Sequence, residues 1–261
     1  MAQSPDHPEL RFVQASGYTR GRPDGPPLFL VAHTMEAAES STQAENTAAY
    51  FASGAGGRSV SSHYCVDDNS IIQCVRLGDV AWTVGNRPGN NRGINWEFTG
   101  FARQTAPQWG DAFSMAMLAR AAPYWAADAK RFGIPIERRT VDELKAFKPG
   151  LTTHNDLRLA FGGTTHTDPG PNFPWSSFIS MIRGAGMPEY SEAQMKAFPW
   201  QYSGGGIPTG MSTLNVLNTI LLRTDNIQTR LAAIEARLDE IGAGDPAHTH
   251  TVTGTAGAVQ P

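Results

Sequence analysis

The sequence predicts an α/β domain followed by a C-terminal coiled coil. Up to about residue 185, short apolar runs of strand length alternate with segments whose apolar residues recur at helical spacing. A glycine-rich stretch at residues 203–206 then interrupts this pattern. Beyond it, the spacing of apolar residues alternates between three and four, which is the heptad pattern of a coiled coil.

Four apolar runs have the length and composition of β-strands: residues 28–32, 63–66, 71–75 and 94–99. The polar residues 67–70 between the second and third runs predict a hairpin turn. Cys65 and Cys74 flank this turn, and two cysteines are too few for a disulfide framework. We expect two half-buried thiols on neighbouring strands. The sequence leaves open whether they are bonded.

Three helices are predicted, each stopped by a glycine: residues 42–53, 111–132 and 176–183. Pro123 lies inside the second helix and is expected to kink it or divide it in two. The apolar residues of this helix recur at core-face spacing. They are Phe113, Leu118, Ala121, Ala122, Trp125, Ala129 and Phe132.

We divide the chain into a domain at residues 1–186, a linker at 187–212, a coiled-coil helix at 213–242 and a flexible, histidine-containing tail at 243–261. The heptad seam carries Leu217, Thr224, Leu231 and Leu238 at position a, and Ile220, Ile227, Ile234 and Ile241 at position d. Leucine at a with isoleucine at d favours trimers or tetramers. The alternative is a single amphipathic helix that lies back on the domain.

Composition excludes several classes of function. The net charge is −3 and the pI about 6.2, which argues against a protein that binds nucleic acid through its charge. No stretch approaches the ~20 apolar residues that a membrane-spanning helix needs. The first twenty residues lack a basic start followed by an apolar core, so we expect no signal peptide.

Three residues could form a catalytic zinc site, which needs three protein ligands and one open position. His33 lies where the first apolar run ends, His154 follows Leu151-Thr-Thr in what we expect to be a loop, and Asp168 precedes a proline. Each is weak alone. A histidine at a strand end is often structural or merely exposed, and aspartate before proline is usually a turn former.

Together with their surroundings, these residues resemble the type 2 N-acetylmuramoyl-L-alanine amidases, the family of phage lytic amidases and peptidoglycan recognition proteins. The resemblance covers residues 28 to 182 and implies a mixed central β-sheet flanked by helices. It is carried by Val31-Ala-His-Thr34, Ser62-His-Tyr-Cys-Val66, Ala81-Trp-Thr-Val-Gly85, Gly93-Ile-Asn-Trp-Glu-Phe-Thr-Gly100, Thr153-His-Asn-Asp156 and Thr167-Asp-Pro-Gly-Pro171.

Carried over position by position, the resemblance implies one zinc ion per chain, held by His33, His154 and Asp168. The catalytic acid falls on Glu97, and strand alternation supports this by placing Asn95, Glu97 and Thr99 towards a cleft, opposite the core. The alternative for Glu97 is a solvated carboxylate.

Further site residues depart from the family pattern or carry a second interpretation. His166 stands where many members have lysine, and could stabilise the oxyanion. Trp82 could bind substrate or could belong to the core. His63 and Tyr64 are expected to lie behind the ligands or in the core, although a ligand role is the alternative.

The function that the resemblance implies is hydrolysis of the amide bond between N-acetylmuramic acid and L-alanine of peptidoglycan. A phage endolysin, made in the host cytoplasm and acting at the cell wall, fits the missing signal peptide. One alternative is a virion-associated lysin, because the tail segment Ala247-His-Thr-His-Thr-Val252 resembles short His-x-His segments of trimeric phage tail fibres. The other is a peptidoglycan-binding module without activity. The host and the stem-peptide chemistry are left open.

Overall fold

The structure, a computed structural model, describes residues 5–186. Its eight strands are β1 (Arg11–Phe12), β2 (Tyr18–Thr19), β3 (Phe29–Thr34), β4 (Tyr64–Val66), β5 (Ile71–Gln73), β6 (Val80–Ala81), β7 (Gly93–Phe98) and β8 (Gly150–Thr153). Six of them form one sheet in the order β1-β5-β4-β7-β3-β8, and β2 pairs with β6 in a small antiparallel sheet. The large sheet is mixed, because only β4 and β5 run antiparallel within it.

Among residues 5–186, seven α-helices surround the sheet. They are α1 (Gln43–Ala52), α2 (Arg87–Arg92), α3 (Ala106–Trp109), α4 (Ala112–Phe132), α5 (Val141–Lys145), α6 (His154–Phe161) and α7 (Trp175–Ala185). The predicted α/β fold with a mixed central sheet flanked by helices is therefore confirmed.

One face of the sheet packs against α4 and α7. Trp96 of β7 stacks on Tyr64 of β4 with ring centroids 4.0 Å apart, and Trp125 of α4 meets Phe178 of α7 at 5.0 Å. All four side chains are buried. Removing such a side chain from water contributes roughly 1.5–3 kcal/mol, so this aromatic layer is the main core of the domain.

The other face positions the site. Here β3 lies between β7 and β8, and all three strands run parallel. Their carboxyl ends therefore meet at one edge, and residues two apart on each strand share a face. Phe29 and Val31 of β3 pack on this face against Leu144 of α5 and Leu157 of α6.

The helix predictions need two corrections. Pro123 does not divide the long helix, because α4 runs unbroken from Ala112 to Phe132. The ring of Pro123 is exposed, while its neighbours Ala122 and Trp125 hold the helix against the core. Gly184 does not stop the last helix either. It lies inside α7, whose buried residues Phe178 and Ile182 secure the helix to the core.

The strand predictions also need corrections. The segment before His154 is not a loop but strand β8, whose backbone pairs with β3 at the edge of the sheet. The predicted hairpin is confirmed by the antiparallel pairing of β4 with β5. Cys65 and Cys74 beside it are fully buried rather than half-buried, and they are free thiols with sulfur atoms 3.9 Å apart.

Among residues 5–186, no helix is long and apolar enough to cross a membrane. The predicted linker, coiled coil and tail at residues 187–261 lie outside the described residues.

Candidate metal centre

The structure brings the three predicted ligands together at the carboxyl edge of the sheet. His33 lies near the end of β3, and His154 is the first residue of α6, directly after β8. Asp168 comes from the loop between α6 and α7. The Nδ1 atoms of His33 and His154 are 3.1 Å apart, and the Asp168 carboxylate approaches them at 3.3 and 3.2 Å. All three residues are buried.

Hydrogen bonds on the far side of each ring determine which nitrogen faces the centre. The Nε2 atom of His154 lies 3.1 Å from the carbonyl oxygen of Val84, which can only accept, so Nε2 carries the proton. The Nε2 atom of His33 lies 3.0 Å from Oδ1 of Asn95, which accepts in the same way. In the neutral rings both Nδ1 atoms therefore present lone pairs to the same point.

Two facing lone pairs beside a carboxylate require a positive charge between them. In tetrahedral zinc coordination, bonds of about 2.0–2.1 Å place the ligand atoms about 3.3–3.4 Å apart. The observed separations of 3.1–3.3 Å are close to this value. His33, His154 and Asp168 thus form a donor set, with atoms within 4.8 Å of one another, that fits a single metal ion.

The protonation states agree with this arrangement. Burial alone would raise the pKa of Asp168, but hydrogen bonds and charge from His154 and His33, in their protonated forms, outweigh it and hold that pKa well below its ordinary value. With both rings neutral, a metal ion between the three residues would supply the positive charge instead. Burial lowers the pKa of His154, against the opposing effect of Asp168. An ionised carboxylate beside a neutral imidazole is the state in which both can coordinate a metal.

The Asp168 loop is held by backbone contacts. The backbone N–H of Asn155 donates to the carbonyl oxygen of Asp168 at 3.2 Å, and that of Thr34 lies 3.4 Å from Oδ2. Gly170 has a φ of +83°, and a Cβ there would lie 1.8 Å from the carbonyl oxygen of Ala102. Only glycine allows this close approach, so the Asp-Pro-Gly sequence is needed to return the chain beside the site.

Glu97 lies on the same sheet face as His33, its register partner on the neighbouring strand. It is half-buried, and burial raises its pKa well above the ordinary value, as do the negative charges of Asp168 and Glu36. Glu36 is exposed, and its Oε1 accepts hydrogen bonds from the Thr34 hydroxyl and the Ala102 backbone N–H, both at 2.7 Å. Burial and these two charges thus favour the protonated form of Glu97 more than water does, which makes its carboxylate a stronger base than an ordinary one.

His166 lies beside the centre on its open side. Its side chain is 65% exposed, and its Nδ1 is 3.8 Å from Oδ1 of Asp168. This distance is too long for a hydrogen bond. The exposed ring can therefore turn towards a bound substrate.

Trp82 is half-buried and packs over Gly17, where a Cβ would lie 3.0 Å from its ring. Its indole N–H donates to the hydroxyl of Thr19 at 2.9 Å. These contacts place Trp82 at the small β2–β6 sheet, and its role in substrate binding stays a prediction.

The strand-alternation prediction is wrong in one respect. Asn95 and Thr99 share the face of Glu97 but are fully buried, because segments distant in the chain cover this part of the face. Tyr64 belongs to the core and His63 lies behind the ligands, as the favoured interpretation predicts.

Val84, Thr164 and Glu36 also lie beside the site, and the sequence does not predict their positions there. The hydroxyl of Thr164 lies 3.2 Å from Nε2 of His154, beside the Val84 carbonyl. A backbone carbonyl has no sequence signature. The motif at residues 81–85 was the only signal pointing to Val84.

Comparison with known proteins agrees with this fold and site. Residues 23–171 match the family model described as N-acetylmuramoyl-L-alanine amidase. The match covers more than half of the chain, and the chain belongs to this family. It is accordingly an N-acetylmuramoyl-L-alanine amidase in enzyme class, and its substrate is peptidoglycan.

One solved structure shares the fold at a TM-score above 0.5, and two others are similar to this chain at lower TM-scores. The Staphylococcus aureus hydrolase AmiA, solved in complex with its ligand, is 19% identical over 69% of this chain and 84% of its own, with a TM-score of 0.51. An AmpD derivative is 21% identical over 67% of this chain and 94% of its own, with a TM-score of 0.48. The amidase LysC from Clostridium intestinale is 16% identical over 67% of this chain and 98% of its own, with a TM-score of 0.43. No curated protein sequence matches the chain.

Proposed function

We propose that this amidase is zinc-dependent, that it hydrolyses the bond between N-acetylmuramic acid and L-alanine, and that it serves as a phage endolysin. The observation that carries the zinc assignment is the pair of facing Nδ1 atoms of His33 and His154, 3.1 Å apart beside the Asp168 carboxylate. One carboxylate and two neutral imidazoles are a typical ligand set for catalytic zinc.

The three ligands would leave one coordination position open towards solvent. When bound there, Zn²⁺ supplies Lewis-acid activation of a water molecule, whose pKa falls towards ~7, and of the scissile carbonyl. The three ligand side chains carry a net charge of −1, since only Asp168 is ionised, so the site with a zinc ion would keep a net charge of +1. Burial of the set excludes bulk water from the ligand side and keeps its geometry rigid.

Glu97 would move the proton. Its carboxylate accepts the proton of the attacking water and then delivers it to the leaving nitrogen of L-alanine. The raised pKa makes the carboxylate of Glu97 a better proton acceptor than an ordinary one, which supports the first transfer. A bound cation would lower this pKa again, which favours the ionised form of Glu97 that accepts the first proton.

His166 would donate a hydrogen bond to the oxygen of the scissile carbonyl as negative charge develops there. Its position on the open side, next to the Asp168 carboxylate, supports this role. Its exposure implies a smaller contribution than that of a buried donor, because water competes for the same oxygen.

The decisive test combines metal content with product analysis. The purified full chain should contain one zinc per molecule, and mass spectrometry of digested sacculi should show free stem peptides beginning with L-alanine. His154→Ala should lose both zinc and cleavage. His154→Ala that keeps half of the wild-type activity in chelator-treated buffer would remove zinc from the mechanism.

The phage origin is a separate part of the proposal and rests on the resemblance to lytic amidases. A test of lysis by protein made inside the bacterium distinguishes an endolysin from the alternatives. Expression of the protein together with a membrane-permeabilising protein should lyse the bacterium, whereas expression alone should not. Recovery of the protein in purified virions would instead favour a virion-associated lysin.

A further inference from the structure

A second row of side chains lies directly beneath the ligands on the same face of the sheet. Val31 of β3 is the register partner of Asn95 on β7 and of Thr152 on β8. His33 and Glu97 stand two residues further along β3 and β7, and His154 stands two residues beyond Thr152. Asn95 and Thr152 are fully buried, so this row separates the ligands from the apolar packing below.

Asn95 is hydrogen-bonded to a ligand, whereas the hydroxyl of Thr152 has no hydrogen-bond partner among the described residues. Oδ1 of Asn95 lies 3.0 Å from Nε2 of His33. An amide oxygen can only accept, so this contact is formed only when the proton of His33 is on Nε2. The same tautomer leaves Nδ1 of His33 unprotonated and directed at Asp168 and His154.

The backbone of Asn95 is held at three points. Its N–H donates to Nδ1 of His63 at 3.0 Å. Its carbonyl oxygen accepts from the Ser62 hydroxyl at 2.8 Å and from the backbone N–H of His63 at 3.1 Å. The side chain of His63 is in turn 2.9 Å from Nη2 of Arg22. The backbone of Asn95 is thus fixed, and the contact of Oδ1 with His33 is the one hydrogen bond of its side chain among the described residues.

We propose that Asn95 is a positioning residue, which selects the Nε2-protonated tautomer of His33 and thereby sets the affinity of the site for its metal ion. This inference rests on the proposed function as regards the metal. The tautomer itself is a property of the protein without metal and can be measured separately. Hydrogen bonds to the remote nitrogen of a ligating histidine orient the ring and raise its basicity.

Asn95→Leu is the principal variant, because leucine has a similar volume and no acceptor. Competition with a chromophoric chelator should show Zn²⁺ affinity of the full chain falling by about 10–100-fold. In the zinc-free protein, long-range ¹H–¹⁵N spectra should show His33 of the wild type with its proton on Nε2, and a mixture of both tautomers in Asn95→Leu.

Thr152→Val is the matched control. Thr152 occupies the equivalent position on the other side of Val31, is equally buried, and its hydroxyl has no hydrogen-bond partner among the described residues. This variant should keep wild-type Zn²⁺ affinity and the His33 tautomer. A general disturbance of the buried row would affect both variants equally, and such a result would overturn the inference.

Asn95→Asp provides the rescue and covers the case in which Asn95→Leu does not fold. Aspartate restores an acceptor for Nε2 of His33, so Zn²⁺ should bind at least as tightly as in the wild type. A tenfold loss of Zn²⁺ affinity in Asn95→Asp would overturn the inference about Asn95 and leave the proposed function intact. Unchanged Zn²⁺ affinity and an unchanged His33 tautomer in Asn95→Leu would do the same. A wild type that binds no Zn²⁺ would instead overturn the proposed function, and the tautomer comparison would still decide the role of Asn95.

Discussion

The ring of His166 lies parallel to the ring of the metal-site residue His154, with centroids 5.1 Å apart and an angle of 5° between the planes. One ring is exposed and the other buried. The stack therefore holds an exposed polar group against the wall of the site without fixing its nitrogens by hydrogen bonds to the ring of His154.

This arrangement predicts a moderate role for His166. His166→Ala should lower kcat by less than the about 10²–10³-fold that removal of a preorganised oxyanion donor costs. His166→Lys should keep appreciable activity, because lysine also donates to an oxyanion. Dye release from labelled cell walls measures the activity of both variants. Thr165→Ala, a change at the exposed neighbouring residue, is the control and should keep the wild-type rate. A wild-type rate in His166→Ala would exclude His166 from the reaction.

Glu97 is predicted to transfer protons and not to contribute to metal binding. Glu97→Gln should retain one zinc per chain yet lose roughly 10²–10⁴-fold in turnover, because glutamine keeps the shape but cannot accept a proton. Zinc content and dye release, measured on the same preparation, separate the two effects.

Glu36→Gln is the control for charge at the mouth of the site. Glu36 contributes to the raised pKa of Glu97, but its Oε1 serves as an acceptor for Thr34 and Ala102, and glutamine preserves such an acceptor. Its loss of turnover should be far smaller than that of Glu97→Gln. Equal losses in the two variants would point to the summed negative charge and not to proton transfer by Glu97.

The positions of His33 and Glu97 could be predicted from the sequence, because a strand end and a period of two follow from local chain geometry. The tautomer of His154 could not be predicted, since it depends on a carbonyl of Val84, seventy residues away in the chain. Nor could strand β8, since Gly150–Thr153 is only four residues long and follows a Pro-Gly turn signal, and its pairing with β3 joins residues about 120 positions apart. The burial of Asn95 has the same origin, because the segments that cover it are distant in sequence.

A buried pair far from the site gives a prediction about stability. Nε2 of His7 lies 2.9 Å from Oδ1 of Asp128, which is fully buried inside α4. The hydrogen bond to Asp128 raises the pKa of His7 above its ordinary value of 6.5, against the effect of burial. His7 therefore stabilises the fold fully below pH 6.5, and this contribution is lost as the pH rises through the folded-state pKa.

His7→Gln isolates this contribution, because glutamine can still donate to Asp128 but does not titrate. Urea unfolding of both chains at pH 6 and pH 8, in excess chelator, should show the wild type losing its advantage over the variant at the higher pH. The difference at pH 6 should be smaller than the about 1.5–3 kcal/mol of a whole hydrogen bond to a charged group, because the glutamine of the variant keeps a neutral donor for Asp128. His63 and His154 titrate in both chains, so their effects cancel in the difference. A pH-independent difference would show that His7 is neutral in the folded protein.

The last prediction concerns assembly through residues 217–241, which lie outside the described residues and are judged from sequence alone. The seam has isoleucine at every d position, and β-branched residues there pack poorly in a two-stranded coil, which favours three or four strands. Arg230 at g and Glu235 at the following e would attract each other between parallel neighbours. The resulting rod would be about 37 Å long at ~1.5 Å per residue.

Several catalytic domains joined in this way would bind a polymeric wall more tightly than one, without any new contact. Sedimentation equilibrium of the full chain should give a trimer or tetramer, and a chain ending at Gly205 should be monomeric. Ile234→Asp, which places a charge in the seam while keeping the full length, should also be monomeric and should keep its activity on soluble muropeptides while losing activity on intact walls. A monomeric wild-type chain at micromolar concentration would favour the alternative, in which this helix lies back on the amidase domain.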